Sequence, residues 1–152
     1  MLSEDSTFMQ LALEQARAAG ELGEVPVGAV VVLDGVLLTA AHNRREIDNN
    51  PSAHAEFLAI SQAARQLGRW RLVDCTVYVS LEPCLMCAGL MLQSRIARCV
   101  FGAYDPKAGA LGSLYNVHDD NRLNHSFLVE GGILAEESAK LLSNFFEQLR
   151  KS

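Results

Sequence analysis

The stretch VGAVVVLDGVLLTAA, residues 27–41, limits the possible folds of this chain more than any other. Two runs of β-branched and aliphatic residues flank Asp34-Gly35. Asp and Gly tolerate the positive φ angles that a two-residue hairpin turn requires, so the pair predicts two antiparallel strands joined tightly. Further on, CTVYVSL (75–81) is continuously apolar and reads as a central strand covered on both faces. ARCVFGA (97–103) and SFLVEGG (126–132) read as two more strands. Helical patterns separate and flank them. DSTFMQLALEQARAAG places Phe8, Leu11, Ala12 and Ala16 at helical spacing, with Ser6 or Thr7 as cap and Gly20 as stop. A second helix is expected over residues 53–67, ending at Gly68, and a third through CLMCAGLMLQSR, with Pro83 at a helix start where its missing N–H costs little. LAEESAKLLSNFFEQLR closes the chain, and residues 104–125 read as a long loop. A hairpin followed by alternating strands and helices predicts an α/β fold: a mixed sheet of about five strands with helices packed on it. With 152 residues, 49% of them apolar, and no linker or repeat, residues 1–152 are expected to form one domain with a core of its own.

The formal charge of −5 argues against a protein that coats nucleic acid by bulk electrostatics, while leaving room for local recognition of a folded RNA. The longest apolar run, VPVGAVVVL, is too short to span a bilayer. The opening MLSEDSTFMQ lacks the apolar segment of a secretory signal. The expectation is a soluble, cytoplasmic protein with no membrane partner. In that compartment Cys75, Cys84, Cys87 and Cys99 point to metal binding or catalysis rather than disulfides.

Cys84 and Cys87 stand three apart in the first turn of a predicted helix, so both thiolates can face one ion. A helix N-terminus favours negative charge and lowers thiol pKa. Two thiolates leave a tetrahedral zinc short of ligands, and no second tight pair exists, because Cys75 and Cys99 stand alone in strand patterns. His54 opens another helix. Two Cys, one His and an open position make the donor set of a catalytic zinc. Such an ion acidifies a water to a pKa of about 7. Hydrolysis then needs a proton shuttle, and Glu56 sits in the same helical turn as His54 but on a different side. Alone, C-x-x-C is often redox-active or incidental, H-x-E is uninformative, and a histidine at a helix start commonly caps or packs. H-x-E followed by P-C-x-x-C is the signature of zinc nucleobase deaminases.

On these residues the chain resembles the cytidine and deoxycytidylate deaminase superfamily. The stretches GEVPVGAVVV, HNRREIDNNPSAHAE, LEPCLMCAGLMLQSRI, VFGAYDPKAGALGSL, LNH and GGILAEESAKLLSNFF are similar to its bacterial tRNA-adenosine-editing branch. The resemblance implies a three-layer cytidine-deaminase-like fold. It implies one Zn2+ per subunit on His54, Cys84 and Cys87, with Glu56 as the catalytic proton shuttle. It further implies Asn43 on the target base, the Ala55 backbone N–H on the purine, Asp105, Lys107 and Asn124 on the anticodon loop, and Phe146 near a flipped neighbouring base. The implied partners are the anticodon stem-loop of a tRNA and a second copy of the chain. The implied reaction is hydrolytic deamination of adenosine to inosine at wobble position 34. Two alternatives stand beside it. One is the same chemistry on free guanine, cytosine or cytidine, against which the polar stretch AYDPKAGALGS suits an extended ligand. The other is an inert zinc-stabilised nucleic-acid-binding module, against which Glu56 argues.

Arg44, Arg45, Lys107, Arg122, Arg150 and Lys151 are either RNA-facing or solvated charge. The Arg69-Trp70-Arg71 cluster, with Arg65, suits dimer packing or RNA. Met86, Leu90 and Met91 suit core or dimer face, and Cys75 and Cys99 suit buried strands. His42, His118 and His125 have no partner that the sequence identifies.

Overall fold

The protein is described by a computed structural model over residues 3–151. The Asp34-Gly35 turn forms as its chemistry requires, with φ angles of 52° and 73°. It joins β1 (Gly28–Leu33) to β2 (Val36–His42) as an antiparallel pair. β3 (Cys75–Leu81) lies antiparallel on the other side of β1, β4 (Arg98–Ala103) parallel to β3, and β5 (Leu128–Glu130) parallel to β4. The sheet order is β2-β1-β3-β4-β5, so β3 is central, as its unbroken apolar character predicts.

Alternation along the strands sorts the core into two halves. Val30, Val32, Tyr78 and Val100 face Phe8, Met9, Ala12 and Leu13 of α1 (Glu4–Glu21), with Leu141 of α4 (Ala135–Lys151) packed alongside. Ala29, Val31, Val77, Val79, Cys99 and Phe101 face Ala59, Ile60 and Ala63 of α2 (Ala55–Leu67) and Ala88 and Met91 of α3 (Leu85–Gln93). Helix, sheet, helix is the three-layer arrangement expected. Gly28 lets α1 lie directly on β1, because a Cβ there would collide with the Ala12 carbonyl. Cys75 and Cys99 are buried in their strands.

The boundaries differ from the sequence reading in small ways with identifiable causes. α1 starts before Ser6 because Ser3 caps it, accepting the Ser6 N–H at 3.1 Å. Asp5, on the first turn, is then held by Arg98 and the Tyr78 hydroxyl, which anchors the helix start to the sheet. α2 starts at Ala55, with His54 as its N-cap, and ends in the left-handed Gly68. α3 begins with Cys84 as N-cap, so Pro83 stands one residue before the cap. The loop after β4 contains a 3₁₀ turn (Val117–Asp119) and carries the chain back to a parallel β5 with no α-helix between.

The register places four strand ends along one edge of the sheet. Gly28 opens β1 opposite His42, which closes β2, and Leu81 at the end of β3 pairs with Ala103 at the end of β4. The segments that leave this edge build the site.

Candidate active site

The two H-x-E and P-C-x-x-C segments meet because α2 and α3 lie side by side on one face of the sheet and start at the same edge. His54 and Cys84 are the N-cap residues of those helices, both with extended backbone and neither making a capping hydrogen bond with its side chain. Their side chains are therefore available to a ligand. His54 Nδ1 lies 3.7 Å from Cys84 Sγ and 3.5 Å from Cys87 Sγ, and the three donor atoms all fall within 4.8 Å of one another. Tetrahedral zinc, with Zn–S of about 2.3 Å and Zn–N of about 2.0 Å, sets the N···S separation near ~3.6 Å. The donor set and its spacing fit zinc. The Cys87 thiol beside it draws the Cys84 thiol down to about 3, with His54 acting in the same sense, so Cys84 is a thiolate, the form that binds metal. The same sharing, together with burial, drives Cys87 in the opposite direction. The Cys84 contact also raises His54 above its ordinary value.

Because His54 does not cap α2, another group must. Asn43, at the start of the loop after β2, accepts the Ala55 N–H on Oδ1 at 2.8 Å and donates from Nδ2 to the Val25 carbonyl at 3.2 Å. Asn43 thus caps α2 from outside the helix. The Ala55 N–H, implied by resemblance to hold a purine, is held in this structure by Asn43. Glu56, in the first turn of α2, is 4% exposed, and burial pushes its carboxyl up to about 7. A carboxyl group poised near neutral pH can both take and return a proton.

A cavity of about 220 Å³ opens beside the cluster, lined by Val25, Val27, Asn43, Arg45, His54, Glu56, Leu81, Glu82, Cys84, Asp105 and Ala108. It is small beside the roughly 300–1,000 Å³ of sites for drug-sized ligands, the scale of one base. Of the residues singled out from sequence, His54, Cys84, Cys87, Glu56, Asn43 and Asp105 come together here, and Ala55 adjoins them. Lys107 is exposed beside the cavity's Asp105 and Ala108, its N–H held by Asp105 Oδ1. Asn124 lies in the loop before β5 and Phe146 on α4 against Phe145, and neither lines the cavity.

Two buried carboxylates were not singled out from sequence. Glu24 accepts the N–H groups of Glu46 and Ile47 and holds the loop after β2. Glu82 accepts from the loop after β4. The available signal was an acidic residue inside each otherwise apolar motif, GEVPVGAV and SLEPC. Elsewhere, charge is largely engaged locally: Arg44 with Asp48, Arg69 with Asp74, Arg122 with Asp120, and Lys151 with Glu147, while the Arg71 guanidinium lies over Trp70. Two of the remaining histidines have hydrogen-bond partners, His42 with the Asn43 carbonyl and His125 with the Ile96 carbonyl, whereas His118 Nε2 lies 3.9 Å from Asp119 and its buried Nδ1 has no hydrogen-bond partner among the described residues.

A donor set that fits zinc, a buried carboxyl beside it and a base-sized cavity on a three-layer fold define a zinc-dependent deaminase. Residues 2–103 match the cytidine and deoxycytidylate deaminase zinc-binding region, and the chain belongs to that family. It is 47% identical over 150 residues to the tRNA-specific adenosine deaminase of Bacillus subtilis, covering 99% of this chain and 93% of that protein. It is 45% identical to the protein of the same name from Aquifex aeolicus, covering 95% of each. Among solved structures, one from a study of A-to-I editing by tRNA:A34 deaminases at the wobble position of transfer RNA has a TM-score of 0.86 at 44% identity, covering 90% of this chain and 99% of that one. A guanine deaminase from Nitrosomonas europaea has a TM-score of 0.80 at 25% identity, covering 92% and 83%.

Proposed function

We propose that this chain deaminates adenosine to inosine at wobble position 34 of a tRNA by zinc-dependent hydrolysis. The observation that carries the reading is the intact His54, Cys84, Cys87 and Glu56 constellation in a chain 42–47% identical, nearly end to end, to tRNA-specific adenosine deaminases. His54, Cys84 and Cys87 would hold zinc, which would supply a water acidified to a pKa of about 7. Glu56 would take a proton from the attacking water as the oxygen adds to C6 of the base, and pass that proton to ring N1. Glu56 then takes the second proton from the hydroxyl now on C6 and gives it to the amino group, which leaves as ammonia while the C6–O bond becomes the carbonyl. One water is consumed and inosine results. Unpaired bases of a loop can be splayed into such a cavity for a few kcal/mol of unstacking.

In this reading Asn43 and Ala55 meet the base, and Asp105 and Lys107 the nucleotides at the cavity mouth; Asn43 and Asp105 lining the cavity support it. Asn124 and Phe146 belong to a wider anticodon stem-loop footprint. A homodimer is supported by apolar side chains left exposed around α2 and α3: Trp70, at 57% exposure, with Leu85 and Met86. Trp70 lines a surface cavity with Ile60, Ala64 and Leu90. The whole chain acts as one deaminase domain, and a tRNA substrate places it in the cytoplasm. Among the described residues no helix is long and apolar enough to cross a membrane.

The second reading, deamination of a free base, is favoured by the likeness to a guanine deaminase. Zinc-loaded protein is incubated with an anticodon stem-loop carrying adenosine at the wobble position, with free adenosine, guanine and cytidine alongside, and nucleosides are analysed. Inosine from the RNA alone is expected, and Glu56→Gln should slow it by about 10²–10⁴-fold while retaining zinc. Ammonia from a free base with no inosine in RNA would reject the tRNA reading.

A further inference from the structure

Glu82 stands between the end of β3 and the metal-ligand turn, two residues before Cys84, and is 2% exposed. Its backbone N–H donates to the Ala103 carbonyl at 2.9 Å, continuing the β3–β4 register past the strand end. Its carboxylate is received by the loop that follows β4. Oε1 accepts the Asp105 N–H at 2.9 Å and the Ser113 hydroxyl, while Oε2 accepts the Leu111 and Ser113 N–H groups at 3.1 and 3.0 Å. All four donors belong to one segment, residues 105–113. Among the described residues no cation forms an ion pair with Glu82, so backbone and hydroxyl donors take the place of a positive partner. The segment wraps the carboxylate so tightly that a Cβ on Gly109 would collide with Glu82 Cδ and both oxygens.

Apolar packing does not explain this order. Within residues 105–113 only Gly109, Ala110 and Leu111 are buried, Leu111 being the one side chain among them larger than a methyl group, and the flanking Tyr104, Leu114 and Tyr115 are exposed. A segment so short of core would open readily if it depended on burial alone. Two residues of the segment, Asp105 and Ala108, line the base-sized cavity. Asp105 Oδ1 in turn fixes the N–H groups of Lys107 and Ala108. A second tie runs the same way, from the Ala110 N–H to the Pro83 carbonyl at 2.8 Å. The cavity wall is thus fastened to the residues immediately preceding Cys84, while the proton shuttle belongs to another helix.

We propose that Glu82 is a positioning residue: its carboxylate, received by the 105–113 segment, fixes the substrate-gripping wall of the cavity relative to the metal-ligand turn. The role rests on the reading of the cavity as the site of a nucleotide within RNA. Glu82 borders the cavity, but its carboxylate oxygens are taken up by the donors of the 105–113 segment. It sets how well the wall receives the nucleotide, and so acts on substrate capture more than on the proton transfers of Glu56.

The test uses zinc-loaded protein and three readouts: bound zinc, amide hydrogen exchange, and single-turnover kinetics on the stem-loop RNA. Glu82→Gln keeps the shape but turns an amide group toward N–H donors. The expected result is one zinc retained, exchange of the Asp105, Leu111 and Ser113 amides faster by about tenfold or more with α2 and α3 unchanged, and a KM raised by about tenfold with a saturating rate changed by less. Gly109→Ala attacks the same clamp from the loop side and should reproduce the pattern. It decides the matter if Glu82→Gln fails to fold. Glu82→Asp, which keeps a carboxylate on a shorter arm, should recover part of the protection. Unchanged exchange in residues 105–113, loss of zinc, or a lowered saturating rate at unchanged KM would each overturn the proposal. If the wild-type protein edits no RNA, the functional reading fails, while the exchange experiment still decides whether the clamp exists.

Discussion

Asn43→Ala isolates the consequence of using a metal ligand as a helix cap. Asn43 is 7% exposed and serves the Ala55 N–H and the Val25 carbonyl, while His54 gives α2 no side-chain cap. Removing a capping side chain costs roughly 0.5–2 kcal/mol. Here the stranded Ala55 N–H is buried, and an unsatisfied buried donor carries a penalty of about 1–3 kcal/mol. The two overlap, since both count the same lost acceptor, so the expected loss is about 2–3 kcal/mol. For a chain of this size that lowers Tm by about 8 °C. The assay is thermal unfolding of zinc-loaded protein without RNA, with Asn43→Asp as control. The aspartate keeps an acceptor for Ala55 but sets a carboxylate oxygen against the Val25 carbonyl, so it should fall between alanine and wild type. A Tm within a degree of wild type for Asn43→Ala, together with lost editing, would show that Asn43 serves the substrate only and that α2 needs no external cap.

Acid should release the α1 anchor. Arg98 and Tyr78 hold the Asp5 carboxyl below its ordinary 3.8, so its contribution is complete above that value and disappears as pH falls through the lowered folded pKa. Asp5→Asn should therefore cost about 2 kcal/mol at neutral pH, with the difference from wild type shrinking below about pH 4 in urea titrations. A difference that persists undiminished at low pH would contradict the ion-pair account. Chelation should lower Tm and the metal should restore it, with a stabilisation of about 4 kcal/mol when free zinc exceeds its Kd a thousandfold. The affinity should fall with pH as protons compete for His54 and the thiols, which titration at two pH values measures.

What was legible in the sequence was what local chemistry decides. Asp34-Gly35 forces a turn whatever surrounds it, and the apolar run at 75–81 belongs in the middle of a sheet. Cys84 and Cys87 share a helix turn, so one half of the metal site needed no tertiary information. The other half, His54 with Glu56, depended on finding its counterpart thirty residues on. What stayed hidden depends on pairing across the chain. Ser3, Ser6 and Thr7 are all capable caps, and Asp5 meets its partners Tyr78 and Arg98 only once the sheet is built. Asn43 reads as a loop residue until α2 is placed against it. Glu82 reads as a polar punctuation before Pro83, because its partners lie in a loop with no periodic pattern. His42 and His125 found backbone carbonyls that no spacing rule predicts. The Arg69-Trp70-Arg71 cluster is half resolved: its two arginines are occupied with Asp74 and with the Trp70 ring, which leaves the ring's exposed face for a partner.

The gathering of four strand ends on one sheet edge has a consequence for how such a chain can change over time. The opposite edge and both helix layers carry the burden of folding, and they meet the site at the starts of α2 and α3 and at the strand ends Gly28, His42, Leu81 and Ala103. Apart from Asn43, which caps α2, and the 105–113 segment held by Glu82, the loops that leave those strand ends can lengthen, shorten or exchange side chains with little effect on the packing behind them. The metal donors, by contrast, are tied to helix starts that the core holds in place. The arrangement separates what must persist from what can drift: a new base or a new carrier for that base can be accommodated by rewriting one rim, under an unaltered hydrolytic centre. A scaffold that superposes on both a wobble-adenosine editor and a guanine deaminase is the outcome such a division of labour allows.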